Sequence, residues 1–429
     1  MRYLITSTLL AAGVVALTLP TKTHLHRNNT NPWLAPSHNS ARERAFYIFN
    51  AVHSAMRQWG SSLHHNGLGL IPATVPRGTL LYHGTWRNYT PPDFEWLAFE
   101  MEHSENFARS TRGGGKGPSK GPQPPQLAGQ RDRQKPMVQP RDDDNPNRGY
   151  LHTYRASRDL KLLYIDGMSA GNTLMGTLDT QDLLLRSLEH ASPYDDWNRG
   201  HDICALVKTW GLDGVIRMEI GFEIMYCDFT DGLDPVSILR TPYQEDREGA
   251  SIDLFEWVRA VSQLYDGIGA GRVTLDLGRM VSGLWYPVNV TNPEPVMSKH
   301  PRLIETTSDE RAEILKRVEN VVRSTKDKIR VDWQGITDMI VGRYGDRIVA
   351  LTEEEDADAF AKQIHVITNT FVDYPASPID KSAMIDSGDM IRKAIKRCAH
   401  HFLEPAYIWR HEWTDEDALI YTATETVSW

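Results

Sequence analysis

The sequence predicts an α+β protein in which a strand-rich first half builds a sheet and a large helical region follows. Three observations lead there. Between Gly78 and Phe229, short apolar and β-branched runs recur, bounded by glycine and polar turn residues, as strands require. Beyond Pro242 the chain changes to long stretches with apolar residues at helical spacing. Between them in texture, Arg109 to Arg148 is almost devoid of apolar residues and rich in Gly, Pro, Lys, Arg and Gln, so it cannot bury enough surface to offset its ordering entropy and reads as a disordered insertion.

Taken in order, Ser40-Ala-Arg-Glu43 makes a capping box for a helix that carries Phe46, Phe49, Val52 and Met56 on one side and stops at Gly60. Ser61 to Pro76 reads as a loop containing His64-His65. The stretch Gly78-Thr-Leu-Leu-Tyr-His83-Gly84-Thr85 is a strand that delivers a polar side chain and a bare backbone to its own end. Trp96 to Phe99 is a short strand leading into a short helix. Tyr150 to Tyr154, Asp159 to Ile165, Leu212 to Ile216 and Phe222 to Phe229 are further strands, with helices at Thr180 to Ala191 and Ile203 to Trp210. In the second half, helices are expected over Ile252 to Tyr265, after the capping box Thr307-Ser-Asp-Glu310, and over Trp333 to Ile348, Asp356 to Phe371 and Asp389 to Phe402. Pro287 to Pro301 is a proline-broken connector. The organisation is a leader at 1–20, an extended arm at 21–39, a core at 40–242 carrying the insertion 109–148, and a helical region at 243–429.

At 429 residues and 40% hydrophobic, the chain has ample material for a core. A formal net charge of -9 and a pI near 6.0 give no global positive field, which argues against nucleic acid or anionic membrane as the main partner. Arg2 followed by the apolar run Leu4 to Leu19, with small residues at Val14-Val-Ala16, fits a secretory signal and is short for a spanning helix, so no stable membrane span is expected. Asn28-Asn-Thr30, Asn88-Tyr-Thr90 and Asn289-Val-Thr291 are glycosylation sequons, usable in a secreted protein. Of Cys204, Cys227 and Cys398, the first two suit a bridge pinning a helix to the sheet, against the alternative of three buried thiols. The histidine pairs His64-His65 and His400-His401 are adjacent rather than spaced for a shared helical face, and no H-E-x-x-H occurs, so no metal is expected.

Glu223 is the residue that a core would not ask for. It lies in the apolar segment Phe222 to Phe229, on the side of Met225 and Cys227, where burial raises a carboxyl pKa unless a partner or substrate satisfies it. An exposed edge position or a salt bridge to Arg217 is the structural alternative.

The order of Val75-Pro-Arg-Gly-Thr-Leu-Leu-Tyr-His83-Gly84-Thr85, then Trp96-Leu-Ala-Phe99 with Phe107-Ala108, then Gly149-Tyr-Leu with Asp159 to Ile165, then Gly211-Leu-Asp-Gly214-Val-Ile before Phe222-Glu223-Ile-Met, resembles the ADP-ribosyltransferase fold, in the branch whose first strand ends in His-Gly. The resemblance spans roughly Val75 to Ile238 and implies a split sheet clamping NAD in a cleft between His83 and Glu223. It implies that His83 bonds a ribose hydroxyl, that Gly84, with Thr85 beside it, offers backbone to the nicotinamide amide, and that Glu223 is the catalytic carboxylate. Trp96 or Phe99 would supply aromatic stacking in place of the family's usual Tyr or Ser-Thr-Ser strand. Gly221 stands two residues before Glu223 where Glu or Gln would favour transfer to arginine. NAD glycohydrolysis and an inactive relative therefore stand beside transfer, whose protein acceptor is unspecified.

A second reading uses Gly167-Met-Ser169-Ala-Gly171, a G-x-S-x-G turn after an apolar strand, as the nucleophile elbow of a serine esterase. Asp213 or Asp228 and His300, His365 or His400 would complete its triad, but Asn172 to Gly176 delays the helix that such an elbow needs. A third is a non-catalytic secreted or surface protein on the same fold.

Overall fold

A computed structural model describes residues 32–110, 148–243, 254–264, 272–324, 331–374 and 387–429. The leader at 1–20, most of the arm, the sequon at Asn28 and residues 111–147 of the insertion lie outside the described residues.

The chain enters through α1 (His38–Glu43), α2 (Ala45–His53) and α3 (Gln58–Leu63). The cap of α1 is Ser37, whose hydroxyl accepts from the Ser40 amide at 3.1 Å, so the expected box at Ser40 is corrected by three residues. The expected single helix also breaks at Arg44. There the guanidinium turns away to the carbonyls of Leu284 (3.2 Å), Tyr286 (2.7 Å) and Val288 (2.6 Å), pinning the N-terminal helices to the later connector. As a result Ile48 and Val52 are buried while Phe46 is 73% exposed.

Ten strands form one sheet: β1 (Gly69–Val75), β2 (Leu80–Thr85), β3 (Glu95–Ala98), β4 (Tyr150–Ala156), β5 (Leu160–Ile165), β6 (Gly214–Glu219), β7 (Gly221–Tyr226), β8 (Leu233–Arg240), β9 (Thr274–Leu275) and β10 (Val281–Ser282). Their spatial order is β10-β1-β5-β6-β7-β3-β2-β4-β8, with β9 also on β1. Among the described strands, only β5 and β6 pair in parallel. A parallel pair needs a crossover, and this one carries a short π-helical turn (Thr180–Leu185) and α5 (Asp196–Thr209). The turn is far shorter than the helix expected from Thr180 to Ala191.

The loop expected at Ser61 to Pro76 is corrected as well, since it contains β1. Pro72, within that strand, cannot donate to a ladder. Here β10 pairs with Gly69 and Leu70 and β9 with Ala73 and Thr74, leaving Pro72 opposite the gap between them. Because β9 and β10 come from beyond residue 242, the region expected to be purely helical completes the sheet.

The sheet is narrowest between β2 and β3, which share the single pair Tyr82↔Ala98, whereas β2 and β4 pair along the whole of β2. After β3 the short helix α4 (Met101–Glu105) turns back over β2. A Cβ on Gly84 would meet the Ser104 carbonyl oxygen at 1.9 Å, so a glycine at 84 is what lets α4 lie on the strand.

The remaining helices are α6 (Leu254–Gln263), α7 (Ser308–Arg323), α8 (Trp333–Glu353), α9 (Ala357–Thr368), α10 (Ser387–His401), α11 (Glu404–Tyr407) and α12 (Asp415–Ser428). α7 opens with the capping box Thr307–Glu310 that its sequence announces. α12, which periodicity alone does not reveal, opens with a second box at Thr414–Asp417 and packs on α1 and α2. Trp333 closes this junction by donating from Nε1 to Asp417 Oδ1 at 2.7 Å. Among the described residues, no helix is long and apolar enough to cross a membrane.

Cys204 of α5 is bonded to Cys227, just past β7, with Cα atoms 5.3 Å apart. The helix-to-sheet bridge is thus the one the sequence favours, and Cys398 is free.

Candidate functional site

Register decides which of the singled-out residues can meet. Residues directly opposite in an antiparallel pair project to the same face of the sheet. Arg217 lies opposite Glu223, Glu223 opposite Ala98, and Ala98 opposite Tyr82. That row therefore crosses β6, β7, β3 and β2 on one face. Trp96, opposite Met225, belongs to the same face two residues along. His83, next to Tyr82 in the strand, projects from the other face.

The expected cleft between His83 and Glu223 is therefore replaced by two separate environments. His83 is 4% exposed, with its ring 5.6 Å from that of His152 and 5.3 Å from that of Phe229. Its Nδ1 donates to the Trp96 carbonyl at 2.7 Å, across the stretch where β2 and β3 have almost no ladder. This bond requires the Nδ1–H tautomer, leaving Nε2 as a bare acceptor, and Nε2 is buried without a partner. Burial first, and then the neighbouring His152, push the imidazole pKa down to about 3, so the ring is neutral at all ordinary pH. Its position makes it a strap across the seam of the sheet.

Glu223 sits on the opposite face in a network of buried ions. Arg217, 1% exposed, donates from Nε to Glu223 Oε1 at 3.1 Å and also through Nη2. Its Nη1 reaches Asp196 Oδ1 at 2.8 Å and Gln181 Oε1 at 3.1 Å. Arg199, fully buried, holds both oxygens of Asp182 at 2.9 Å and touches Asp196 at 3.2 Å. Burial works against the charge of Asp196, yet Arg217 and Arg199 outweigh it and its pKa is lowered. Burial likewise raises Glu223, and Arg217 pulls it back. In Glu219, burial first and then the charge of Glu223 push the carboxyl up to about 8. One face of the β6–β7 hairpin thus carries two carboxyls, both with raised pKa, and the Arg217 guanidinium.

Beside these ions stands an aromatic wall. Trp96 lies 4.7 Å from Phe94 and 5.3 Å from Trp197, and Trp197 lies 4.9 Å from His201, measured between ring centroids. Gly200 makes this packing possible, since a Cβ there would meet Phe94 Cζ at 2.2 Å. Trp96 Nε1 is buried without a hydrogen-bond partner. Trp96 therefore shares the sheet face of Glu223 and, among the described residues, its indole N–H has no acceptor.

The other expected residues fall elsewhere. Phe99 is 2% exposed and belongs to the core, so the stacking role expected for it is withdrawn. Gly84 is covered by α4, and Thr85 is buried at the strand end. Ser169 is 1% exposed, and its hydroxyl donates to the Ile165 carbonyl at 2.8 Å while accepting from the Met218 amide at 3.4 Å. These bonds make the G-x-S-x-G turn a link between β5 and β6 rather than an exposed elbow. Asp213 is committed to Arg158 at 2.7 and 2.8 Å, and His300 stacks on His65 at 4.0 Å. Among the described residues, no group of three or more His, Cys, Asp or Glu is placed to hold a metal ion.

Sequence reasoning named Arg217 as a partner of Glu223 but missed Asp196, Trp197, Arg199 and Glu219. Glu219 was findable, because it follows Arg217 at the strand period of two and so must share its face. Asp196 and Trp197 open α5 far from the hairpin in sequence, and only the crossover brings them to it.

A family of sequences described as the YPL277C N-terminal domain matches residues 38–148 and 126–249, the stretch that contains α1 to α5 and β1 to β8. The Saccharomyces cerevisiae uncharacterized protein YOR389W is 34% identical over 253 residues, covering 53% of this chain and 39% of that protein. The uncharacterized protein YPL277C of the same yeast is 37% identical over 213 residues, covering 45% of this chain and 42% of that protein. The matched part of this chain thus spans about two fifths of the length of each relative. No solved structure matches the chain. The sequence similarity therefore runs through the region that holds both the seam and the Glu223 network.

Proposed function

We propose that this chain is a secreted, NAD-cleaving enzyme of the ADP-ribosyltransferase type, acting as an NAD glycohydrolase or an ADP-ribosyl transferase, with Glu223 its catalytic carboxylate. The observation that carries the reading is the juxtaposition on one sheet face of a half-buried carboxyl and an aromatic wall, on adjacent strands beside a seam. Glu223 and Trp96 stand on the neighbouring strands β7 and β3 and share a face, while His83 of β2 lies on the other. In such a site Trp96 stacks the nicotinamide or adenine ring, and the carboxylate of Glu223 faces the ribose. Breaking the ribose C1′–nitrogen bond leaves positive charge on the sugar, and a fixed carboxylate in a partly dehydrated site stabilises that charge. His83 serves by holding the Trp96 strand through its carbonyl. The Cys204–Cys227 bond and the exposure of Asn88 and Asn289 suit passage through an oxidising, glycosylating compartment.

The test is to incubate the purified protein with NAD and follow free nicotinamide and ADP-ribose by chromatography, with Glu223→Gln as the variant and Ser169→Ala with a short-chain ester as the esterase control. Glutamine keeps an oxygen for Arg217 to donate to, and Asp196 still pairs that guanidinium, so the fold is retained. Nicotinamide release that survives Glu223→Gln would overturn the assignment.

A further inference from the structure

We propose that Glu219 is a second catalytic carboxyl of this site, the base that takes the proton of an attacking water, so that the site is built for hydrolysis; the inference rests on the NAD-cleaving reading above. Three observations support it. Arg217 lies opposite Glu223 and Glu219 opposite Gly221 across the tight β6–β7 hairpin, so Arg217, Glu219 and Glu223 all project to one face. The residue opposite Glu219 across the hairpin is Gly221, so no side chain there covers Glu219 on this face. Gln58 of α3 fastens the turn from behind, donating from Nε2 to the Glu219 carbonyl at 2.7 Å and accepting from the Gly221 amide at 2.7 Å. The backbone of Glu219 is thereby fixed while its carboxyl is spoken for by no hydrogen bond or ion pair among the described residues. Asp182, Asp196 and Glu223 in the same network each have an arginine. A partly buried acid with no ion pair, beside one held by a guanidinium, is the kind of pairing by which two carboxyls take different roles.

The chemistry balances without a further reagent. The C1′–nitrogen bond of NAD breaks and its electron pair leaves with nicotinamide, which needs no proton. Water adds its oxygen to C1′, and its proton passes to the ionised form of Glu219, which later returns it to solvent. The products are nicotinamide, ADP-ribose and one proton. The charged groups facing Glu219 are Glu223 on β7, Arg217 on β6 and Asp196 at the start of α5, and from α3 it meets the uncharged Gln58. Because its pKa is raised to about 8, the competent form grows as pH climbs from 6 to 9, and hydrolysis should climb with it.

The experiment measures nicotinamide and ADP-ribose from NAD between pH 6 and 9 for the wild-type protein, Glu219→Gln, Glu219→Asp and Glu223→Gln, with and without azide, after urea midpoints have shown each variant folded. Glu219→Gln is expected to slow hydrolysis roughly 100-fold and to lose the rise with pH. Azide, an anionic nucleophile with no proton to lose, should restore nicotinamide release in Glu219→Gln and yield the azido sugar, but should not rescue Glu223→Gln. Glu219→Asp keeps a carboxyl and should retain the rise with pH at a reduced rate. A Glu219→Gln protein with the wild-type pH profile and no azide effect would overturn the role of Glu219 while leaving NAD cleavage standing. A wild-type protein that releases no nicotinamide would overturn both.

Discussion

Asp166 offers a direct test of the buried chemistry, separate from catalysis. It ends β5, is 5% exposed, and its Oδ1 accepts from the Gly69 amide at 2.7 Å. It lines a cavity of about 20 Å³ with Tyr47, Asn50, His64 and Asn66, room for about one water. Burial pushes its carboxyl from 3.8 up to about 7, partly offset by the Gly69 bond. The folded state therefore holds the proton more tightly than the unfolded state does. The stability so contributed is complete below the unfolded pKa, is lost as pH rises from about 4 to 7, and changes no further above that. Across that window the loss amounts to about 4 kcal/mol, of which about 3 kcal/mol falls between pH 5 and 8. Asp166→Asn keeps an oxygen for Gly69 and carries no charge, so it should gain on the wild type by about 3 kcal/mol over the same interval. Urea denaturation of both proteins at pH 5 and 8 measures this as a difference of differences. His64, His65 and His300, whose pKa values burial lowers, lose stability as pH falls, but they do so in both proteins and cancel. A gap between variant and wild type that stays constant or narrows with rising pH would refute the reasoning.

Other expectations follow from single contacts. Replacing both Cys204 and Cys227 by serine opens a loop of sequence separation 23 and should cost about 3 kcal/mol in urea unfolding; a loss under about 1 kcal/mol would mean that the bridge constrains little. Gly84→Ala drives a Cβ into the Ser104 carbonyl and should lower the melting temperature and detach α4, seen as faster amide exchange over Met101–Glu105. His83→Ala leaves the Trp96 carbonyl without its donor, for a loss of about 1–3 kcal/mol and a larger KM for NAD, whereas an unchanged KM would separate the strap from the site. Arg217→Met leaves Glu223 without its cation and Asp196 with Arg199 alone, and should cost about 3–5 kcal/mol at pH 7, recovering in part at lower pH as Glu223 takes up a proton.

What was legible in the sequence was mostly local. The strands at Tyr150–Ala156, Leu160–Ile165 and Gly221–Tyr226 and the capped helix after Thr307 follow from period and capping chemistry, which need only neighbours in the chain. β1 was read as loop, and its outer partners are two short strands from beyond residue 242 that leave a gap opposite Pro72, a pairing that no local pattern reveals. α12 was lost because its buried face is largely polar, with Glu416, Asp417, Thr422 and Thr424 among its buried residues, so its apolar period is faint although its capping box was in view. The bridge between Cys204 and Cys227 was within reach because one cysteine sat in a helix and the other in a strand.

The site was legible in its composition and not in its facing. His83, Trp96 and Glu223 were picked out for chemistry, and the structure does place their strands side by side. Yet the side-chain period of a strand is two, so a shift of one residue along β2 decides whether His83 or Tyr82 looks toward Glu223, and no pattern within β2 fixes that relation. It is set by Tyr82↔Ala98, the one pair that joins β2 to β3. That economy has a physical consequence. A ladder reduced to one pair leaves carbonyls unsatisfied, and a neutral imidazole locked in one tautomer satisfies one of them better than a charged side chain would, since it brings no ion into the interior. The same residue type that suits a ribose hydroxyl therefore also suits a strap. On the other face the logic inverts: Arg217 makes the burial of Glu223 tolerable, and the carboxyl left without such a partner is Glu219, two residues along the strand from that arginine. If chemistry occurs on this sheet, the group whose environment is least explained by folding is the one to remove first.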